Sequence, residues 1–272
     1  MGDYDMIKML YTGDSGIVLG PIAFETPFIM EIKDAYLREW GHYLINALKN
    51  NPNISITYIP SIQAYRSFPK NYDELKQYDI IMLSDLSAEV LMFFPEFFPL
   101  EQLRETSILS STDFVGMPNR LKLIKRFVEE GGGFIMAGGW FSFSGRFGNG
   151  AWYRTPIAEI LPVHISEVDD RVETPDGAFV KAIDTNHPIM RNIDWSTCPP
   201  FLGYNKVKVK KNAKLLAIIG EDEDPFIVVG RYGQGKVMAF TSDPVLHWGI
   251  NFVKWKYYSM FWTQVLEWFV EK

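Results

Sequence analysis

The middle of the sequence alternates between apolar runs and an amphipathic helix, and this order restricts the fold more than any other feature. The run "YDIIMLSDL" (78–86) is almost continuously apolar, as expected for a strand that is covered on both faces. The segment "PNRLKLIKRFVEEGGG" (118–133) has apolar residues at helical spacing, an early proline and terminal glycines, which predict a helix. "FIMAGG" (134–139) then predicts another buried strand. This strand–helix–strand order indicates a parallel sheet with helices on both faces.

The N-terminal part continues the same order. Met6–Asp14 predicts a first strand and Ile54–Pro60 a second. Between them, Met30–Asn50 predicts a helix, because apolar residues recur at helical spacing. These residues are Ile32, Tyr36, Trp40, Leu44 and Leu48. Since crossovers between parallel strands are right-handed, we expect a doubly wound, mainly parallel α/β sheet of the flavodoxin-like type.

The C-terminal half predicts antiparallel additions to that sheet. Ala213–Asp243 contains three apolar runs, and the last two flank Gly233-Gln234-Gly235, which is a strong hairpin signal. Lysines alternate with valines at Lys206–Lys211, as in an edge strand that avoids further pairing. The chain ends in a long aromatic helix. We interpret residues 1–272 as a single α/β domain with an insertion around residues 163–212.

Composition excludes several classes of partner. Hydrophobic residues make up 47% and charged residues 22%, which is typical of a soluble globular protein. A net charge of −6 argues against nucleic acid, and no apolar run reaches the roughly 18–20 residues of a membrane helix. Cys198 is the only cysteine, so an intramolecular disulfide is impossible and a cytoplasmic setting is expected. No metal-ligand spacing is present, so we expect neither a metal nor a cofactor.

One short motif suggests a hydrolase. Gly13-Asp14-Ser15 follows the first strand, and it resembles the nucleophile block of a lipase-like hydrolase family. Asp243 and His247 would complete a catalytic set. They are separated by three residues where that family has two, and the family's Gly-x-Asn-Asp block is missing. A serine hydrolase using Ser15, Asp243 and His247 is therefore kept as an alternative.

A wider resemblance covers nearly the whole chain. Five motifs, "GGG", "GGWFSFSG", "WYRTPIAEILPV", "LGYN" and "SDPVLHW", resemble the class I glutamine-amidotransferase-like superfamily, and within it a branch of unknown function. They stand at Gly131–Gly133, Gly138–Gly145, Trp152–Val163, Leu202–Asn205 and Ser242–Trp248. Trehalose-utilisation-type proteins share the same plan of strands more distantly.

The resemblance implies a catalytic apparatus that this sequence lacks. Active members carry a cysteine at the elbow after the fourth strand and a His-x-Glu pair near the C-terminus. Here the elbow reads Gly138-Gly139-Trp140, and His247 is followed by Trp248-Gly249. Cys198 lies in a proline-containing loop far from the elbow in sequence. We therefore expect a pseudoenzyme without glutaminase activity, since glutamine hydrolysis needs the thiolate.

The loops after the parallel strands would still form a crevice. Its expected ligand-binding residues are Asp14, Ser15, Asp85, Gly139, Trp140, Ser142, Ser144, Trp152 and His247. Tryptophans and serines around a glycine-lined crevice suit a small polar ligand such as a sugar or an amide. Alternatively, Trp140 and Phe143 fill the vacated space. Self-association through the aromatic segments Leu91–Leu100 and Trp255–Phe269 would make the protein a homo-oligomer.

Overall fold

The computed structural model describes residues 6–19, 22–26, 29–32, 35–97 and 116–271. The strands are β1 (Ile7–Gly13), β2 (Ser15–Leu19), β3 (Ile22–Thr26), β4 (Ile29–Ile32), β5 (Ala35–Glu39), β6 (Ile54–Pro60), β7 (Ile80–Ser84), β8 (Gly133–Ala137), β9 (Val163–His164), β10 (Arg171–Ala178), β11 (Val180–Ala182), β12 (Phe201–Asn205), β13 (Lys208–Val209), β14 (Lys214–Ile219), β15 (Asp224–Tyr232) and β16 (Gly235–Phe240). The α-helices are α1 (His42–Leu48), α2 (Ser61–Ser67), α3 (Tyr72–Leu75), α4 (Ala88–Met92), α5 (Arg120–Glu129), α6 (Pro156–Ile160) and α7 (Tyr258–Val270).

Eight strands form one mixed sheet. Their order is β11-β14-β15-β16-β8-β7-β1-β6. Five of them, β6, β1, β7, β8 and β16, lie side by side in this order and are parallel. Numbered along the chain, their order across the sheet is 2-1-3-4-5. The other three pair antiparallel beyond β16. The predicted doubly wound α/β fold with antiparallel strands in its C-terminal half is confirmed.

Successive residues along the parallel strands pack into two different hydrophobic clusters. Met9 and Met82 belong to one buried cluster, together with residues of α1 and α7. Leu10 and Ile81 belong to the other, together with residues of α5 and α6. Because side chains alternate along a strand, nearly continuous apolar runs are needed when helices cover both faces.

One predicted helix is wrong over most of its length. Within Met30–Asn50, only His42–Leu48 is helical, whereas Ile29–Ile32 and Ala35–Glu39 are strands. β2 pairs antiparallel with β5, and β3 pairs with β4. The apolar residues that suggest a helix are spaced by four. A spacing of four also keeps side chains on one face of a strand, so it cannot separate the two structures.

The segment around residues 163–212 forms mainly small sheets. β10 pairs with β12, and β13 pairs with β9, while β11 joins the edge of the large sheet. The lysine-rich strand at Lys208–Val209 therefore lies outside the large sheet. The limits of the domain and of its insertion stay a prediction. Of the aromatic segment Leu91–Leu100, residues 98–100 lie outside the described residues. Among the described helices, none combines the length and apolarity of a membrane span.

Candidate functional site

The candidate site begins where the strand order reverses, between β1 and β7. Gly13 and Ser84 are paired in register at the carboxyl ends of these strands, so Asp14 and Asp85 follow side by side. Gly13 has φ +142°, and a Cβ there would lie 1.7 Å from the carbonyl oxygen of Ser84. Only glycine fits this close approach. In open α/β sheets, ligands bind outside the carboxyl ends of strands at such a reversal.

Asp14 is fully buried in a hydrogen-bonded network. The Tyr11 hydroxyl donates to its Oδ2, and Ser84 Oγ donates to its Oδ1 over 3.1 Å. Burial raises the pKa of Asp14 to about 7, although the hydrogen bond from Tyr11 lowers it and the charge of Asp85 raises it further. Asp14 therefore keeps its proton up to a higher pH than an ordinary aspartate does.

Asp85 is also buried, and its backbone is strained in the same way. Asp14 and Asp85 have φ of 45° and 42°, a region that residues with a side chain rarely adopt. The N–H of Asp85 donates to Ser142 Oγ over 3.0 Å, and the N–H of Phe141 donates to Asp85 Oδ1 over 2.9 Å. Burial raises the pKa of Asp85, whereas the Phe141 N–H and the nearby His247 lower it.

The elbow, Gly138–Trp140, follows β8 beside these two carboxylates. Gly139 has φ +140°, and a Cβ there would lie 2.7 Å from both Asp243 Oδ1 and Asp85 Oδ1. Real Cβ contacts are essentially never this short, so a side chain at position 139 would require Asp85 and Asp243 to move. Asp85 and Asp243 therefore occupy the space that the Cβ of a nucleophilic residue at position 139 would need.

Asn205, at the end of β12, holds the elbow through its backbone. Its Oδ1 accepts the Gly139 N–H over 3.0 Å, and its Nδ2 donates to the Gly139 carbonyl over 3.2 Å. The same Nδ2 lies 2.9 Å from Asp170 Oδ1. Asp170 in turn accepts the backbone N–H groups of Ser144 and Gly145. This network fixes the elbow and the loop that follows it.

Asp243 supplies the third buried carboxylate. Its Oδ2 accepts the N–H groups of His247 and Trp248 over 3.0 and 2.8 Å. Burial raises the pKa of Asp243 well above its usual range, and the charges of Asp85 and Asp14 raise it further. Its Oδ1 is buried and has no hydrogen-bond partner among the described residues. The indole Nε1 of Trp140 is a buried donor that likewise has no partner there.

Aromatic rings surround the exposed His247. Its ring stacks on Trp140 at 5.9 Å and 24°, and meets the edge of Trp40 at 4.6 Å and 64°. The His247 ring therefore contacts two tryptophans, Trp140 and Trp40. Within the described part of the chain, no group of three or more His, Cys, Asp or Glu side chains could hold a metal ion.

The structure places the other sequence-predicted residues beneath or beside this cluster. Trp152 is fully buried and donates from Nε1 to the carbonyl oxygen of Leu86 over 2.8 Å. Ser142 and Ser144 are buried, and Ser144 Oγ donates to the carbonyl oxygen of Ser166. These three side chains support the site from within the core.

Within the described part of the chain, neither Ser15, the proposed nucleophile, nor Cys198, the only cysteine, hydrogen-bonds His247. Ser15 Oγ lies 2.9 Å from Ser61 Oγ and accepts the Ile62 N–H. Cys198 is buried in the core that contains α1 and α7, and burial raises the pKa of its thiol to about 12. A buried thiol with this pKa is a poor nucleophile at neutral pH.

Sequence reasoning missed four residues that shape the site. Asn205 and Asp170 hold the elbow, while Trp40 and Arg146 contribute to its aromatic surroundings. The motif "LGYN" at Leu202–Asn205 is a usable signal for Asn205, because an asparagine at the end of a strand has side-chain groups free for other contacts. No local sequence pattern marks Trp40, because its spacing places it in a helix.

Comparisons with known proteins agree with this architecture. The family model described as "Putative glutamine amidotransferase" matches residues 32–271. A solved structure, Cytoplasmic Protein STM3548 from Salmonella typhimurium, is 31% identical with a TM-score of 0.86, covering 98% of this chain and 100% of its own. Cytoplasmic Protein STM1381 from Salmonella typhimurium LT2 is 33% identical with a TM-score of 0.84, covering 97% and 100%. A ThuA-like protein from Bacteroides uniformis ATCC 8492 is 11% identical with a TM-score of 0.55, covering 100% and 94%, which shows a shared fold alone. No curated protein matches the chain.

Proposed function

The chain belongs to the glutamine amidotransferase-like family, and we propose that it is a non-catalytic member that binds a small ligand through an uncharged polar group at the elbow. The observation that carries this proposal is the surroundings of Gly139. A Cβ at that position would meet Asp243 and Asp85 at 2.7 Å. A cysteine in the same place would require both carboxylates to move.

The atoms without partners support binding of a particular kind of group. Asp243 Oδ1 is a buried oxygen that accepts a hydrogen bond when the carboxyl group is ionised and donates one when it is protonated, and Trp140 Nε1 is a buried donor. Leaving such groups unsatisfied costs about 1–3 kcal/mol each, so a ligand that satisfies them gains that energy. A hydroxyl or a carboxamide can both donate and accept, so it can pair with Trp140 Nε1 and with Asp243 in either protonation state, whereas an ammonium group cannot accept from Trp140.

The same group would suit the electrostatics of the elbow. Three buried carboxyl groups lie together, and burial raises the pKa of each. A second anion placed directly among them would be repelled wherever one of them is ionised. An uncharged group avoids this cost. The names of the two Salmonella relatives support a cytoplasmic setting.

The test uses acetamide and ethylene glycol, two small uncharged compounds that each donate and accept. We expect both to shift the NMR signal of the Trp140 indole N–H saturably, with the signal assigned through Trp140→Phe. Asp243→Ala should weaken acetamide binding, because it removes the free Oδ1 whether the carboxyl group is ionised or protonated. The matched control is Asp224→Ala, since Asp224 is another buried carboxylate but accepts from the Tyr204 hydroxyl.

Two results would contradict the proposal. One is the absence of a saturable shift with either compound, and the other is ammonia release from L-glutamine above the buffer rate. The alternative, a serine hydrolase, predicts stoichiometric labelling by a fluorophosphonate that is lost in Ser15→Ala. We expect no such labelling, because Ser15 Oγ hydrogen-bonds Ser61 and, among the described residues, no histidine.

A further inference from the structure

The loop after the elbow presents an arginine in an unusual state. Three of the arginines that the structure describes are buried or partly buried, and the others are exposed. The three are Arg120, Arg146 and Arg171. The guanidinium of Arg120 donates to four backbone carbonyl oxygens. Arg171 donates to the carboxylates of Asp169 and Glu173. Arg146 makes neither kind of bond with any described residue.

Stacking, rather than hydrogen bonding, holds the guanidinium of Arg146. It lies 4.9 Å from the centre of the Trp140 ring and 5.0 Å from that of Phe147. Stacking occupies the flat faces of a guanidinium and leaves the N–H groups at its edge free. These N–H groups match the two oxygens of a carboxylate or a phosphate. The loop thus supplies a partly buried cation without a counter-ion among the described residues.

The backbone of the loop is fixed in an unfavourable conformation. Phe147 has φ 56°, and its side chain is 71% exposed, so packing of its own ring does not explain the strain. Instead, hydrogen bonds hold the loop. The N–H of Phe147 donates to Asp169 Oδ2 over 2.9 Å, and the N–H of Arg146 donates to the Trp140 carbonyl over 2.6 Å. Strain that is held in this way is characteristic of ligand clamps.

The ring beneath Arg146 carries the donor that the proposed function pairs with the uncharged group of the ligand. The indole N–H of Trp140 is buried and unpartnered among the described residues. Asp169, which could neutralise Arg146, forms its ion pair with Arg171 instead. Within the described part of the chain, the guanidinium N–H groups of Arg146 therefore have no acceptor of their own.

We propose that Arg146, stacked on Trp140, binds the oxyanionic group, a carboxylate or a phosphate, of the small ligand whose uncharged group enters the elbow. This inference rests on the proposed function and adds the charged end of the ligand. It places the anion on the arginine side of Trp140, and the uncharged group on the Asp243 side.

The test titrates the protein with sodium phosphate and, separately, with sodium acetate, at an ionic strength kept constant with sodium chloride. NMR signals of the Trp140 indole N–H and the Arg146 Nε–H report binding. We expect saturable shifts of both signals with at least one of the two anions, and no saturable shift with chloride alone. The anion that binds more tightly identifies the source as phosphate or carboxylate.

Arg146→Gln should weaken that binding roughly tenfold or more, since a hydrogen bond to a charged group is lost. Arg154→Gln is the matched control, because Arg154 is also stacked on an aromatic ring, that of Tyr153, but is exposed. It should leave the apparent Kd unchanged. No saturable shift in the wild-type protein, or equal affinity in Arg146→Gln, would overturn the inference.

The titration of the wild-type protein tests the inference even if Arg146→Gln does not fold. The test also separates this inference from the proposed function. Loss of acetamide binding in Asp243→Ala concerns the elbow, whereas loss of anion binding in Arg146→Gln concerns the arginine. A protein that binds anions but neither uncharged compound would contradict the proposed function alone.

Discussion

Two glycine-rich turns lie at opposite ends of neighbouring strands, and their surroundings differ. In the hairpin turn before β16, a Cβ on Gly235 would meet the carbonyl oxygens of Gly132 and Val128 at 2.3 Å. At the elbow after β8, a Cβ on Gly139 would meet the side chains of Asp85 and Asp243. Glycine in the hairpin turn is required by backbone packing. Gly139 at the elbow is instead required by polar side chains that occupy the space.

The largest effect is expected in the hairpin turn. Gly235→Ala should destabilise the protein by more than about 4 kcal/mol or prevent folding, because two carbonyl groups of the backbone would have to move. Urea unfolding followed by circular dichroism would measure the loss. No truncation of a nearby side chain should restore the stability. A variant that unfolds with the wild-type midpoint would show that this turn is not limited by backbone contacts.

The elbow differs from the hairpin turn in its cluster of buried carboxyl groups, so the second prediction concerns pH. The pKa of Asp14 is about 7 in the folded protein against an ordinary value of 3.8, so the folded state binds the proton more tightly. The resulting stabilisation is complete below an ordinary carboxyl pKa, near pH 4, and is lost as the pH rises to about 7. The free energy of unfolding should fall by up to about 4 kcal/mol across this window.

Asp14→Asn is the control for that prediction, because it removes the titrating group while keeping the shape of the side chain. Urea unfolding at four values of pH spread across that window should show a smaller decline in the variant than in the wild-type protein. Asp85 and Asp243, whose pKa values burial also raises, should account for the decline that remains. An equal decline in both proteins would contradict the role of Asp14.

The third prediction concerns the elbow glycine itself. Gly139→Ala should cost about 3 kcal/mol, because its φ of +140° is unfavourable for alanine and two carboxylates must shift. Gly148→Ala, in the same loop with φ +77° and open space around it, should cost only about 1 kcal/mol. Both values can be measured by urea unfolding.

A second substitution sharpens the contrast between the two turns. Asp85→Gly removes the Cβ and carboxylate that the new methyl group of Gly139→Ala would meet, and relieves the strain at φ 42°. The double variant should therefore recover about 1–2 kcal/mol relative to the sum of the single changes. Simple additivity would show that the carboxylates do not limit the space at Gly139.

The fold is largely predictable from the sequence, because a strand that is buried on both faces needs an almost continuous run of apolar residues. The runs that form β7 and β8 are almost continuously apolar. The helix that precedes β8, α5, carries clear start and stop signals. The helix predicted before α1 is wrong, since a spacing of four residues fits a helix and a strand equally. Local spacing cannot resolve that ambiguity unless the glycine at position 41 is weighed as a boundary.

The site is predictable only in part. Asp14, Asp85, Gly139 and Trp140 can be placed together because they follow the carboxyl ends of parallel strands. Whether Ser142, Ser144 and Trp152 point toward a ligand or into the core depends on the path of an irregular loop. Among the described residues, seven other than glycine have positive φ, and three of them lie between 143 and 151. No periodicity encodes such a path, so the roles of Asn205 and Arg146 required the structure.

The three carboxyl groups of the site come from positions 14, 85 and 243, which span almost the whole chain. No short fragment of the chain contains all of them, and no partly unfolded state that releases one strand end keeps them together. A ligand at the elbow should therefore slow hydrogen exchange throughout the central strands, far from its own contacts. Ligand binding at the site would then stabilise the entire sheet against local unfolding.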